Sequence, residues 1–173
     1  MYHLSIVTTV YNSAFHIEEF YRKITKAVLC VTESYELIFV DDGSHDGSVD
    51  LILSICKEDP KVKLIELSRN FGHHKSMLCG MERSCGEFVF LIDCDLEENP
   101  KTLVNFYKIK RKTNQDVIYG VAQKRDGGFV KAKLGALAWF LIQRLYDTKI
   151  PENQCTVRLM TKRYVEALCR HKE

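Results

Sequence analysis

Residues Glu87–Pro100 read EFVFLIDCDLEENP. From Glu87 to Ile92 the run is almost wholly apolar, β-branched or aromatic, the pattern of a short strand buried on both faces. It stops on Asp93-Cys94-Asp95. Alternate residues of a strand point to the same side, so two carboxylates leave its C-terminal end together. Like charges that close are costly without a cation between them. Mg²⁺ and Mn²⁺ take such oxygen ligands, with substrate phosphates completing the shell. Glu97 adds a third carboxylate within reach. A solvated acidic turn ahead of the helix that Pro100 opens explains the same residues without any chemistry. The rest of the chain decides between the two.

Working outward, strand and helix signals alternate. Strand-like runs cover Leu4–Val10, Tyr35–Val40, Val62–Leu67 and Asp116–Val121. Helical spacing covers Phe15–Leu29, Asp46–Cys56, His74–Ser84 and Lys101–Lys112, with Gly86 expected as a C-terminal cap and a last helix at Thr161–Cys169. This alternation predicts right-handed crossovers and an α/β fold: a Rossmann-like, mostly parallel central sheet flanked by helices. A length of 173 residues suits a single domain, 1–173.

Composition narrows the class. With 25 basic and 23 acidic residues, nothing points to a nucleic-acid partner. Seven cysteines without metal-ligand spacing suit a reduced, cytoplasmic setting better than a disulfide framework. The start, MYHLSIVTTVYN, lacks the pattern of a signal peptide, and no apolar run is long enough to span a bilayer.

Ligands of open parallel sheets bind beyond the carboxyl ends of the strands. Three strands here end on polar clusters: Thr9, Tyr11 and Asn12; Asp41 and Asp42; Asp93 and Asp95. Tyr11 can stack on a base, a carboxylate can accept a base N–H, and the DxD can hold a metal against a diphosphate. The plain alternatives are a rim aromatic for Tyr11 and a turn and helix cap before Ser48 for Asp41-Asp42. Asp42 is expected to be exposed, so that its removal would spare the fold.

Taken together, VTTVYN, VDDGSHDGS, SRNFGHHKSMLCGMERSCGE, FLIDCDLEENP and IPENQCTVRLMTKRYVEAL resemble family 2 glycosyltransferases of GT-A fold. The likeness is to the branch with dolichol-phosphate mannosyltransferases and bactoprenol glucosyltransferases, over about Leu4–Leu168. It implies an inverting, metal-dependent transferase that moves a sugar from a nucleotide-diphosphate sugar onto a polyprenyl phosphate or a cell-surface glycan precursor. The implied nucleotide-sugar set is Thr9, Val10, Tyr11, Asp41, Asp42, Arg69, Asp93, Cys94 and Asp95. Asp93, Asp95 and Glu97 would hold Mg²⁺ or Mn²⁺, and Asp95 and Arg158 would act in catalysis.

The match has gaps. Thr9 stands where many members have Pro, Ser13 where many have Glu, and Thr156 where the polyprenyl-phosphate branch has an aspartate before RLM. A threonine is no general base near neutral pH. An acceptor that is already anionic needs none; otherwise the chain is a nucleotide-sugar-binding module lacking efficient turnover. An α/β nucleotidyltransferase would need a glycine-rich phosphate loop that the first strand does not provide. Lys124 and Arg125, beside Gly127-Gly128, form a basic loop suited to a donor diphosphate or an acceptor phosphate. Leu134–Ile142 (LGALAWFLI) reads either as a core helix or as an interfacial one at the cytoplasmic membrane face. The abrupt C-terminus is compatible with a domain cut from a longer, membrane-associated protein.

Overall fold

The structure, a computed structural model, describes residues 2–121 and 154–171. The basic loop with Lys124 and Arg125, and the apolar run Leu134–Ile142, lie outside the described residues. Two compact units divide the chain: 1–119 with 156–173, and 120–155. The first carries the fold described here.

Eleven elements are described. They are β1 (Leu4–Val10), α1 (Ala14–Leu29), β2 (Tyr35–Asp41), α2 (Ser48–Glu58), β3 (Val62–Glu66), α3 (His73–Arg83), β4 (Phe88–Leu91), α4 (Thr102–Lys112), β5 (Val117–Val121), β6 (Gln154–Thr161) and α5 (Lys162–Arg170). The sheet order is β3-β2-β1-β4-β6-β5. β1 pairs in parallel with both β2 and β4, and β2 with β3. The chain therefore winds outward through β2 and β3, then returns to place β4 on the other side of β1. The gap between the ends of β1 and β4 is the topological switch point, where open α/β sheets take ligands.

The sequence pattern missed one strand. Gln154–Thr161 forms β6, antiparallel to β4, with Leu91 opposite Arg158 and Phe88 opposite Thr161. β6 also separates β4 from β5. Thr161 then ends the strand and caps α5: its hydroxyl accepts from the Tyr164 N–H and donates to Asp116 at 2.8 Å.

Every residue of β1 and β2 is buried, as a central pair covered on both faces must be. On one face Val7, Ile38 and Val40 pack with Met77 and Met81 of α3. On the other, Phe20 of α1 meets Phe39 edge-on, 5.9 Å between centroids. Gly80 sets how close α3 comes to the sheet. A Cβ there would lie 2.5 Å from Val7 Cγ1 and 2.8 Å from Val40 Cγ2.

Gly86 is not the cap expected of it. α3 ends at Arg83, and Gly86 instead lets the chain pass against β1, donating its N–H to Ser5 Oγ at 2.7 Å. That serine belongs to a polar knot at the amino ends of the strands, the side away from the switch point. Glu36 is fully buried and accepts from Ser5 Oγ, Lys63 Nζ and the Cys85 N–H. Burial would raise its carboxyl, but the bonds from Lys63, Ser5 and Cys85 outweigh it and hold the group below the usual range. Among the described residues no helix is long and apolar enough to cross a membrane.

Candidate active site

The carboxyl ends of β1, β2 and β4 and the start of α3 enclose a cleft of about 360 Å³, lined by Thr9, Tyr11, Asp42, His73, Asp93 and Asp95 among others. Members of all three polar clusters read from the sequence thus meet in one place, while Asn12 and the buried Asp41 are not among the lining residues. Val10 and Cys94 line the same cleft.

Each loop around it is locked by its own residues. Asn12 turns the chain out of β1 at φ 48, a conformation asparagine tolerates better than most residues. Its side chain accepts from the His45 N–H at 2.9 Å, while its own N–H donates to Ser44 Oγ at 2.9 Å. The Asp41 Oδ2 atom closes the turn after β2 by accepting from the Gly43 and Ser44 N–H groups. The turn and cap roles therefore fall to Asp41 and to Asp46, which accepts from Ala14 at the start of α1.

Asp42 corrects the expectation of an exposed turn carboxylate. It is 3 % exposed and accepts from the Phe71 N–H at 2.7 Å and the Gly72 N–H at 3.0 Å. It ties the loop before α3 to the end of β2. Arg69 stacks over Phe71, 4.6 Å from guanidinium to ring centre, outside the set of residues lining the cleft. Tyr11 stands at the mouth, half exposed.

Two carboxylate oxygens have no hydrogen-bond partner among the described residues: the buried Oδ1 atoms of Asp41 and Asp93. Burial pushes the Asp93 carboxyl upward. His73, the Thr156 hydroxyl and Arg158 oppose that shift, and the neighbouring Asp95 charge adds to it. His73 Nε2 stands 3.4 Å from Asp93 Oδ1, and its Nδ1 lies 3.1 Å from the Thr9 hydroxyl, so the histidine spans the ends of β1 and β4. Burial, then the Asp95 and Asp93 charges, push the Cys94 thiol up to about 11. That shift keeps the thiol protonated at neutral pH.

An orphaned buried carboxylate oxygen beside a second carboxylate fits a hard divalent cation. The third ligand expected from the sequence is not gathered in. Glu97 lies along a different cavity, and among the described residues no three potential ligands stand close enough to hold a metal ion. Glu98 is nearer in effect: burial first, then the charges of Asp93 and Asp95, raise its carboxyl.

The profile of the family described as "Glycosyl transferase family 2" matches residues 5–169. The chain belongs to glycosyl transferase family 2. A protein of Mycobacterium tuberculosis named as a glycosyltransferase is 44% identical over 170 residues, covering 98% of this chain and 50% of that protein. The undecaprenyl-phosphate 4-deoxy-4-formamido-L-arabinose transferase of Serratia proteamaculans is 26% identical, over 95% of this chain and 51% of its own. The chain thus spans about half the length of the curated relatives it matches. Among solved structures, the mannosyltransferase of Pyrobaculum calidifontis in complex with GDP-Man and Mn²⁺ shares the GT-A fold, at TM-score 0.65 and 19% identity over 96% of this chain and 46% of that one.

For this family 2 chain, His73 and Glu98 are neighbours of the site that the sequence reading did not place, while Thr156, singled out there as the residue in place of an acceptor aspartate, stands beside Asp93. Continuing the β4–β6 register by two residues sets Thr156 opposite Asp93, in line with its effect on that carboxyl. Arg158, expected to act in catalysis, donates from Nε to the Thr156 carbonyl at 3.0 Å, and its charge also reaches Asp93. The acidic run Asp93–Glu98 was the available signal for Glu98. His73 left only that of a helix start.

Proposed function

We propose that the protein is an inverting sugar transferase that takes a nucleotide-diphosphate sugar as donor and a lipid phosphate as acceptor. The observation that carries this reading is the pair Asp93 and Asp95 at the switch point of a family 2 chain, where the buried Oδ1 atom of Asp93 makes no hydrogen bond among the described residues and has His73 Nε2 3.4 Å away. Tyr11 offers its exposed ring to the base, and Asp41, buried and outside the cleft lining, fixes the turn after β2 that carries Asp42 to the cleft. Asp42 serves the pocket by fixing the loop at Phe71 and Gly72. Asp93 and Asp95 would hold Mg²⁺ or Mn²⁺, which supplies neutralisation of charge on the diphosphate.

In the transfer itself, an acceptor oxygen attacks the anomeric carbon from the face opposite the diphosphate. The new C–O bond forms as the bond to the donor phosphate breaks. A phosphate monoester is largely ionised near pH 7, so no side chain has to take a proton. Thr156 beside Asp93 suits that chemistry, since a hydroxyl cannot act as the base a sugar acceptor requires. The same threonine would leave a mere nucleotide-sugar-binding module if the acceptor were a sugar hydroxyl. The similar Serratia protein is named for transfer to undecaprenyl phosphate, which supports the lipid acceptor. Lys124 and Arg125 are assigned to the acceptor phosphate, and the reaction to the cytoplasmic membrane face.

The test offers matched nucleotide sugars with a polyprenyl phosphate or a free sugar in parallel. Transfer to the lipid phosphate, reduced about tenfold or more in a Lys124→Ala/Arg125→Ala variant, is expected. Transfer only to a sugar hydroxyl, undiminished in that variant, would overturn the acceptor assignment.

A further inference from the structure

A second cavity, larger than the donor cleft, lies between α1 and α4. Its volume is about 770 Å³, within the range of small-molecule sites, and it shares no lining residue with the cleft. Ala27, Leu96, Pro100 and Val104 give it apolar walls, while Lys23, Lys26 and Lys101 bring cations to it. Lys23 is paired with Glu19 at 2.7 Å. Lys26 and Lys101 have no carboxylate partner among the described residues. Glu97, the one carboxylate of the lining, offsets only part of that charge.

Leu96 adds an independent sign. Its backbone is left-handed, at φ 66, a region where a leucine is a genuine outlier. A glycine or asparagine would sit there without strain, yet the chain carries a large apolar side chain and presents it to the cavity wall. Walls of this kind beside unpaired ammonium groups fit neither a metal ion nor a neutral solute. They fit an apolar tail with an anionic head, the tail along Ala27, Leu96 and Val104 and the head between Lys26 and Lys101.

We propose that the α1–α4 cavity is a second binding site, for a single-chain amphiphile with a phosphate or carboxylate head. It goes beyond the transferase reading and does not depend on it. An occupant would abut Leu96 and Glu97, the residues directly after Asp95, and so press on the loop that carries the donor carboxylates.

Decyl phosphate below its micelle concentration is the probe, with inorganic phosphate and decyltrimethylammonium as controls. Calorimetry in EDTA keeps the outcome separate from any metal at Asp93 and Asp95. Decyl phosphate should bind, inorganic phosphate more weakly, and the cationic amphiphile not at all. A Lys26→Glu/Lys101→Glu variant should lose about tenfold or more in affinity at an unchanged melting temperature, with Lys26→Gln/Lys101→Gln between it and the wild type. Sedimentation with phosphatidylglycerol vesicles identifies the source: retention that the lysine variant abolishes marks a bilayer lipid, and no retention marks a soluble amphiphile. Absence of decyl phosphate binding, or equal affinity in the lysine variant, would overturn the proposal.

Discussion

At the scale of single residues, the buried Asp42 and the half-buried Asp93 are carboxylates with opposite circumstances. Both oxygens of Asp42 are engaged, each by a backbone N–H of the loop before α3. Removing them takes away two hydrogen bonds that hold the loop, whose donors Phe71 and Gly72 are only partly buried, so Asp42→Ala should cost about 1–2 kcal/mol, more than a surface change. Urea unfolding measures that loss, and nucleotide affinity should fall with it because Phe71 and Gly72 are released. A variant as stable as the wild type would mean that water or another group serves those N–H donors. Asp93 instead has one oxygen that makes no hydrogen bond among the described residues, with His73 Nε2 3.4 Å from it, and its carboxyl is raised by burial. That is a costly arrangement unless a ligand completes it.

At the scale of elements, the cleft depends on how closely α3 lies on the sheet. His73 opens that helix and reaches toward Thr9 and Asp93, while Gly80 sits two turns on, directly over Val7 and Val40. Gly80→Ala would set a methyl against two β-branched side chains of a packed core. The expected cost is about 1–3 kcal/mol. The same shift should move His73 and weaken nucleotide binding; unchanged stability and affinity would show that the helix can slide at no cost. The parallel strands and their helices were readable because each is a local pattern: an apolar run ending on Asn12, on Asp41-Asp42, or on Asp93. β6 was not, since Gln154–Thr161 alternates weakly and its partner, β4, is remote in sequence. Gly86 misled for a related reason. A glycine after a helix suggests a cap, but the need it meets is the close passage of β1.

At the scale of the whole molecule, the order β3-β2-β1-β4 brings the residues after three strands to one switch point. Tyr11, Asp42, Asp93 and Asp95 could therefore be grouped from sequence by strand ends alone. What strand ends do not specify is the path of the chain beyond them. Glu97 follows the carboxylate pair in sequence but lines the α1–α4 cavity, because the left-handed turn at Leu96 redirects the loop; Glu98 is the neighbour whose carboxyl responds to the pair. His73 and Thr156 enter from α3 and β6, elements whose placement is set by packing and pairing rather than by local pattern. The central claim is that this switch point binds a nucleotide diphosphate through a divalent cation held by Asp93 and Asp95. Calorimetric titration of UDP and GDP, in Mn²⁺ and in EDTA, on the wild type and on Asp95→Asn tests it most directly. The account predicts binding of one nucleotide in Mn²⁺, weakened about tenfold or more both by EDTA and by the substitution, since an amide is the poorer ligand for a hard cation. Equal affinity in Mn²⁺ and EDTA, with Asp95→Asn indistinguishable from the wild type, would contradict it.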